Sequence, residues 1–159
     1  MIYRRIVAHR LRRAFAALNR GDTGPVLAAF GRDARHTFFG RHALAGMRHD
    51  AASIEAWYAR LQSVFPDLRF EIDALSVSGM PWNTVALVEW RDSYTLPYGT
   101  RGGNQGVHAL RLRWGRVTEL RVYCDTQLLA GVLGLIERQG VREAGLEPLG
   151  VAVGAALLA

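Results

Sequence analysis

Residues 83–125 read NTVALVEWRDSYTLPYGTRGGNQGVHALRLRWGRVTELRVYCD, and this stretch decides the fold. From Val107 to Trp114 the side chains alternate, with His108, Leu110, Leu112 and Trp114 set against Ala109, Arg111 and Arg113. A period of two marks a strand with one buried and one wet face. The next strand repeats it, with Leu120, Val122 and Cys124 inward and Glu119, Arg121 and Tyr123 outward. In the preceding strand, Glu89 and Arg91 suit the wet arginine face, so Trp90, Asp92 and Tyr94 join His108 on the buried one. Three consecutive antiparallel strands are expected.

The connection from Leu96 to Asn104 is rich in Gly and Pro, as a hairpin turn is. A hairpin symmetric about Thr100 sets Asp92 opposite His108 and Trp90 opposite Leu110. A one-residue slip would turn whole faces outward, so only two-residue slips compete. In each of these the carboxylate and the imidazole stay within cross-strand or diagonal reach. An acid and a histidine adjacent on an apolar face are a candidate general acid/base pair. The alternative is a pair that only satisfies itself near a sheet end. The pocket around Asp92 and His108 is expected to be lined by Trp57, Tyr58, Trp90, Tyr94 and Leu110. There Asp92 would act as base or nucleophile activator with His108 as its partner, and Tyr94 or Tyr58 as a donor to a carbonyl or oxyanion.

A chain of 159 residues, half of them apolar, suits one domain with a real core. A single cysteine, Cys124, excludes an internal disulfide and a cysteine-rich zinc site. The net charge of +6 comes with 20 arginines and no lysine, dispersed along the chain without a nucleic-acid-binding motif, which disfavours nucleic acid as partner. No apolar run has transmembrane length, and the arginine-interrupted N-terminus is no secretory signal, so a cytoplasmic location is expected.

Ile2 to Asn19 has Val7, Leu11, Ala14, Phe15 and Leu18 at helical spacing with arginines opposite. A short second helix with Pro25 in its first turn follows, burying Val26, Leu27 and Phe30. Arg35–Phe39 reads as a strand, and residues 40–50 as a loop rimming a pocket. His36, His42 and His49 lack the HxH or HxxxH separations of a metal site, and neither metal nor cofactor is expected. Asp50 caps a third helix, Ala51 to Phe65, and Leu68 to Ser78 reads as a strand with Phe70 and Ile72 inward. Keeping Leu110 beside Leu120 requires a three-residue connection or a bulge near Gly115. Asp125 caps a last helix to about Arg138, which is its structural role. The apolar tail 139–159 should cover a surface of its own domain or of a partner subunit.

Helices first, then a strongly bent sheet, is an order that resembles the nuclear transport factor 2-like superfamily, in its SnoaL-like branch. NQGVHALRLRWGRVTELRVYCD carries the resemblance, with IVAHRLRRAFAALNRGDTGPVLAAF and FPDLRFEI before it. That branch also holds ketosteroid isomerases, scytalone dehydratase and limonene epoxide hydrolase. The resemblance implies an α+β, cystatin-like roll over residues 1–138: a cone-shaped, curved antiparallel or mixed sheet with N-terminal helices on its concave face. It also implies an apolar cavity and a homodimer through the outer sheet face, where Glu89, Arg91, Arg111, Arg113, Glu119 and Arg121 offer both signs. His108 falls where polyketide-cyclase members place a cavity histidine, while their catalytic acid position reads Val122. Of the acids in limonene epoxide hydrolases, Asp92 alone stands for one.

Two functions are compatible with these residues. One is an isomerase, cyclase or hydrolase acting on an apolar ring-type substrate by Asp/His chemistry. The other is a non-catalytic binding module for a small apolar ligand, or a dimeric scaffold with a shrunken cavity.

Overall fold

Thr84, Ala86, Val88, Trp90 and Tyr94 are all buried while their alternating neighbours are exposed or half-buried, as a one-sided strand requires. The computed structural model describes residues 2–153. Its elements are α1 (Ile2–Leu18), α2 (Gly24–Ala29), β1 (Phe30–Phe38), β2 (Gly46–Arg48), α3 (Ala51–Val64), β3 (Arg69–Met80), β4 (Asn83–Thr95), β5 (Arg101–Gly102), β6 (Gln105–Arg113), β7 (Arg116–Cys124) and α4 (Thr126–Arg138). Short 3-10 turns cover Pro97–Gly99 and Arg142–Gly145. The sheet runs β2-β1-β7-β6-β4-β3, with β5 paired to β4. All pairings are antiparallel except β1 with β7. The fold is the expected α+β roll with a curved mixed sheet and three N-terminal helices.

Helix α1 buries Val7, Leu11, Phe15 and Ala17, and α3 buries Ile54, Trp57, Tyr58, Leu61 and Val64, in one core with the inner sheet face. Asp50 and Asp125 accept from Ser53 N and Leu128 N at the starts of α3 and α4, satisfying otherwise orphaned helix donors. In contrast to the sequence reading, α2 buries no residue fully, and Phe30 opens β1. The loop 40–50 contains the strand β2, too short to show a period.

Three expectations about register and faces change. The β4–β6 hairpin centres on Tyr98, so Val88 opposes His108, Ala86 opposes Leu110, and Gly106 opposes Trp90. Gly102 and Gly103 are not turn residues. A Cβ on Gly102 would lie 2.6 Å from the Tyr94 ring and one on Gly103 would lie 2.5 Å from Asp92 O, so both let β4 approach closely. Trp114 lies in the β6–β7 turn and is 67% exposed, not on the buried face. The bulge does exist, between Arg111 and Leu112, and it restores Leu110 to Leu120.

The tail folds back on its own chain. Arg60 donates to Glu147 O at 2.8 Å, Arg48 Nε to Leu149 O at 3.1 Å, and Val151 bridges Met47. Positions 154–159 of the expected covering segment lie outside the described residues. Among the described residues, no helix is long and apolar enough to cross a membrane.

Candidate functional site

Strands β4, β6 and β7 and helix α3 surround a cavity with about 40 Å³ of free volume. A water needs about 10–15 Å³ on this measure, so the cavity holds a few waters or a small planar group. Trp57, Tyr58, Trp90, Tyr94, Asp92 and His108 line it, together with Phe38, Phe70, Asn104, Val122 and Cys124. Leu110 does not. It is buried in the core opposite Ala86, a consequence of the shifted hairpin.

The expected contact between Asp92 and His108 is not formed. Both face inward, but Asp92 aligns with Asn104 and His108 with Val88, four residues apart in register. At about 3.3 Å per residue this separates their positions along the sheet by about 13 Å. They occupy two ends of one cavity. The carboxylate accepts from the backbone N of Asn104 at 2.5 Å, and Asn104 in turn donates to Asp125 O at 3.0 Å. The imidazole Nδ1 of His108 accepts from Trp90 Nε1 at 2.5 Å. An indole N–H only donates, so the proton of the neutral ring sits on Nε2, on the side away from Trp90.

Burial drives the protonation states apart. It raises the Asp92 carboxyl from 3.8 to about 6, against the lowering effect of the Asn104 N–H. It lowers His108 from 6.5 to about 3, so this ring is neutral at physiological pH. The Cys124 thiol is pushed up to about 12 by burial, then by the charges of Asp92 and Asp125. Tyr94 is likewise raised to about 12, chiefly by burial, then by Asp92 and Cys124. Its hydroxyl is buried without a hydrogen-bond partner among the described residues.

Asp92 also borders a second space. Phe70, Asp92 and Asn104 line both the inner cavity and an outer groove of about 690 Å³ that includes Arg69, Glu71, Ser93 and Gln105. Asp92 therefore stands at the mouth and His108 on the inner wall.

Behind the inner wall lies a cluster that the sequence reading missed. His36 is fully buried, its Nδ1 2.9 Å from Arg48, its ring 4.5 Å from Trp57, and its Nε2 without a partner among the described residues. Arg48 is 1% exposed and donates to the carbonyls of Ala45, Gly46 and Leu149. Those carbonyls and the Trp57 ring, 5.4 Å away, take the place of a carboxylate. Desolvation lowers Arg48 to about 10. His36 is held well below its ordinary value by burial first, then by Arg48 and His108. The inward side of Arg35–Phe39 was the available signal for His36, whereas Arg48 sits in a strand too short to betray a face. Among the described residues no group of three His, Cys, Asp or Glu side chains could hold a metal ion.

A sequence profile of the SnoaL-like domain matches residues 11–120. No curated protein matches the chain in sequence. Among solved structures, an NTF2-like protein of unknown function from Burkholderia pseudomallei K96243 aligns with a TM-score of 0.70 at 22% identity, covering 79% of this chain and 95% of that one. TerC, crystallised with polyporic acid, aligns at 0.64 with 19% identity over 82% of this chain and 98% of its own. A protein from Jannaschia sp. CCS1, described as a putative SnoaL-like polyketide cyclase, aligns at 0.61 with 18% identity, covering 79% of this chain and 90% of that one. At these identities the structural likenesses speak for the fold. With the profile spanning most of the chain, the protein belongs to the SnoaL-like domain family of the NTF2-like superfamily.

Proposed function

We propose that the chain is a SnoaL-like enzyme that draws a small, planar, largely apolar ring into the cavity and moves a proton at Asp92. The reaction class is proton abstraction beside a carbonyl, leading to isomerisation or ring closure. One observation carries this reading. Asp92 is the one carboxyl among the described residues lining the cavity, and burial holds it at about 6, where it can both take and return a proton near neutral pH. His108 donates from Nε2 to a developing oxyanion as a neutral group, and Tyr94 or Tyr58 supplies a second donor. Trp57 and Trp90 pack on the ring. TerC's crystallisation with polyporic acid supports a small-molecule site in this fold.

The test is deuterium uptake from solvent into small cyclic ketones, followed by NMR. Wild-type protein should catalyse it, and Asp92→Asn should lose at least about 100-fold. Full exchange by Asp92→Asn contradicts the reading. A binding-only role is favoured by Val122 at the family's acid position and by the narrow cavity. It predicts ligand-raised melting temperatures without exchange in either protein.

We further propose a homodimer through the outer sheet face. There Arg91 is bound to Asp73 at 2.7 Å, and Glu119 lies between Arg35 and Arg111, leaving Glu89 to pair with Arg113 or Arg121 across a two-fold axis. Light scattering should give twice the chain mass at micromolar concentration. The monomer mass contradicts it.

A further inference from the structure

The four tryptophans divide evenly. Trp57 and Trp90 are each 3% exposed with bonded indole N–H groups, while Trp82 and Trp114 are 53% and 67% exposed. The exposed pair occupies the tips of the β3–β4 and β6–β7 turns, rings 6.1 Å apart, with Trp114 N donating to Pro81 O at 2.5 Å. Trp114 holds φ 52 beside Gly115 at φ 75, in a two-residue turn closed by the Arg113–Arg116 pair. Such a turn favours Asn-Gly, and a bulky residue at positive φ is disfavoured. The turn thus keeps a strained tryptophan in water, and strain of this kind collects at functional positions.

The surroundings are cationic. Arg4 Nε donates to Gly79 O at 3.2 Å, and Arg10 lies against Gly115, so the N-terminal half of α1 borders both tips. Helix α1 and both turns contain no Asp or Glu. Among the described residues, none of Arg4, Arg5 and Arg10 forms an ion pair. Ile2 and Ile6 on α1 and Met80 beside Trp82 are at least half exposed.

We propose that this end of the sheet docks on an anionic lipid surface, with Trp82 and Trp114 at the headgroup level and the arginines on lipid phosphates. Interfacial tryptophans flanked by unpaired arginines and aliphatic side chains are the features such surfaces select. A second copy fits poorly, since a two-fold contact would press arginines onto arginines. Single-stranded nucleic acid also fits poorly, because its sites are grooves with spaced aromatic platforms. Here the two rings pack on each other at turn tips and form no such spaced platform.

The full chain is mixed with vesicles of phosphatidylcholine alone and of equimolar phosphatidylcholine and phosphatidylglycerol, and followed by flotation and tryptophan emission. Binding to the anionic vesicles with a blue shift, weakened by salt, is expected, and little binding to the neutral ones. Trp82→Gln with Trp114→Asn should lose at least about tenfold in affinity, and Arg10→Gln, beside Gly115, about fivefold. Trp114→Asn alone should raise the melting temperature while weakening binding, which separates the role of this side chain from folding. The proposal is overturned by equal binding to both vesicles, by no vesicle binding, or by an unchanged double variant. It is also overturned if a single-stranded DNA oligonucleotide produces the blue shift in place of vesicles, or if the double mutation turns a dimer into a monomer.

Discussion

The mouth and the inner wall of the cavity are two solutions to the same problem, a titratable side chain facing apolar surroundings. At the inner wall, His108 has an indole donor on Nδ1, and burial keeps the ring neutral with a value near 3. At the mouth, Asp92 has a single backbone donor and an open groove beside it, and its value rises to about 6. The histidine is fixed in one protonation state across the physiological range, whereas the aspartate changes state within reach of it. The same burial moves them oppositely because it favours the neutral form of each, the protonated acid and the unprotonated base, and so separates a fixed donor from a proton carrier.

The two ends should respond to pH in opposite directions. Asp92 binds its proton more tightly folded than unfolded, so its contribution to stability is present below 3.8 and is lost as pH rises through 6. Asp92→Asn should therefore match wild type at pH 4 and exceed it by up to about 3 kcal/mol above pH 7, measured by urea unfolding. A constant difference at all pH values breaks the comparison. His108 is the reverse case. Its contribution is full above 6.5 and is lost as pH falls toward 3. Trp90→Phe removes the donor to Nδ1 and should cost about 1–2 kcal/mol. It should also move the His108 titration upward by NMR. An unmoved titration means the indole does not hold the tautomer.

The faces of the sheet were legible because each strand carries its own period of two. Trp90, Asp92, Tyr94 and His108 all point inward as the sequence implies. The alignment between strands was not legible, because a hairpin's register depends on where the turn sits. Gly102 and Gly103 advertise a turn but serve to let Tyr94 and the Asp92 backbone pass, so the centre falls at Tyr98, whose φ is 68. Moving the centre two residues shifts the pairing by four, which was enough to part Asp92 from His108 while leaving both on the right face. Arg48 was missed for a different reason. Its partners are carbonyls at positions 45, 46 and 149, and backbone acceptors leave no trace in a sequence. Trp114 broke the alternation because it is the first residue of a tight turn, where inward and outward lose their meaning.

The most direct measurement is the ionisation of Asp92 itself, followed by the carboxyl carbon-13 shift in labelled protein from pH 3 to pH 8, with Asp92→Asn assigning the signal. A midpoint near 6 is expected for a carboxyl desolvated at the cavity mouth and able to exchange protons with a bound ring. A midpoint near 3.8 would show an ordinary solvated aspartate and would contradict its role as the proton carrier of this site.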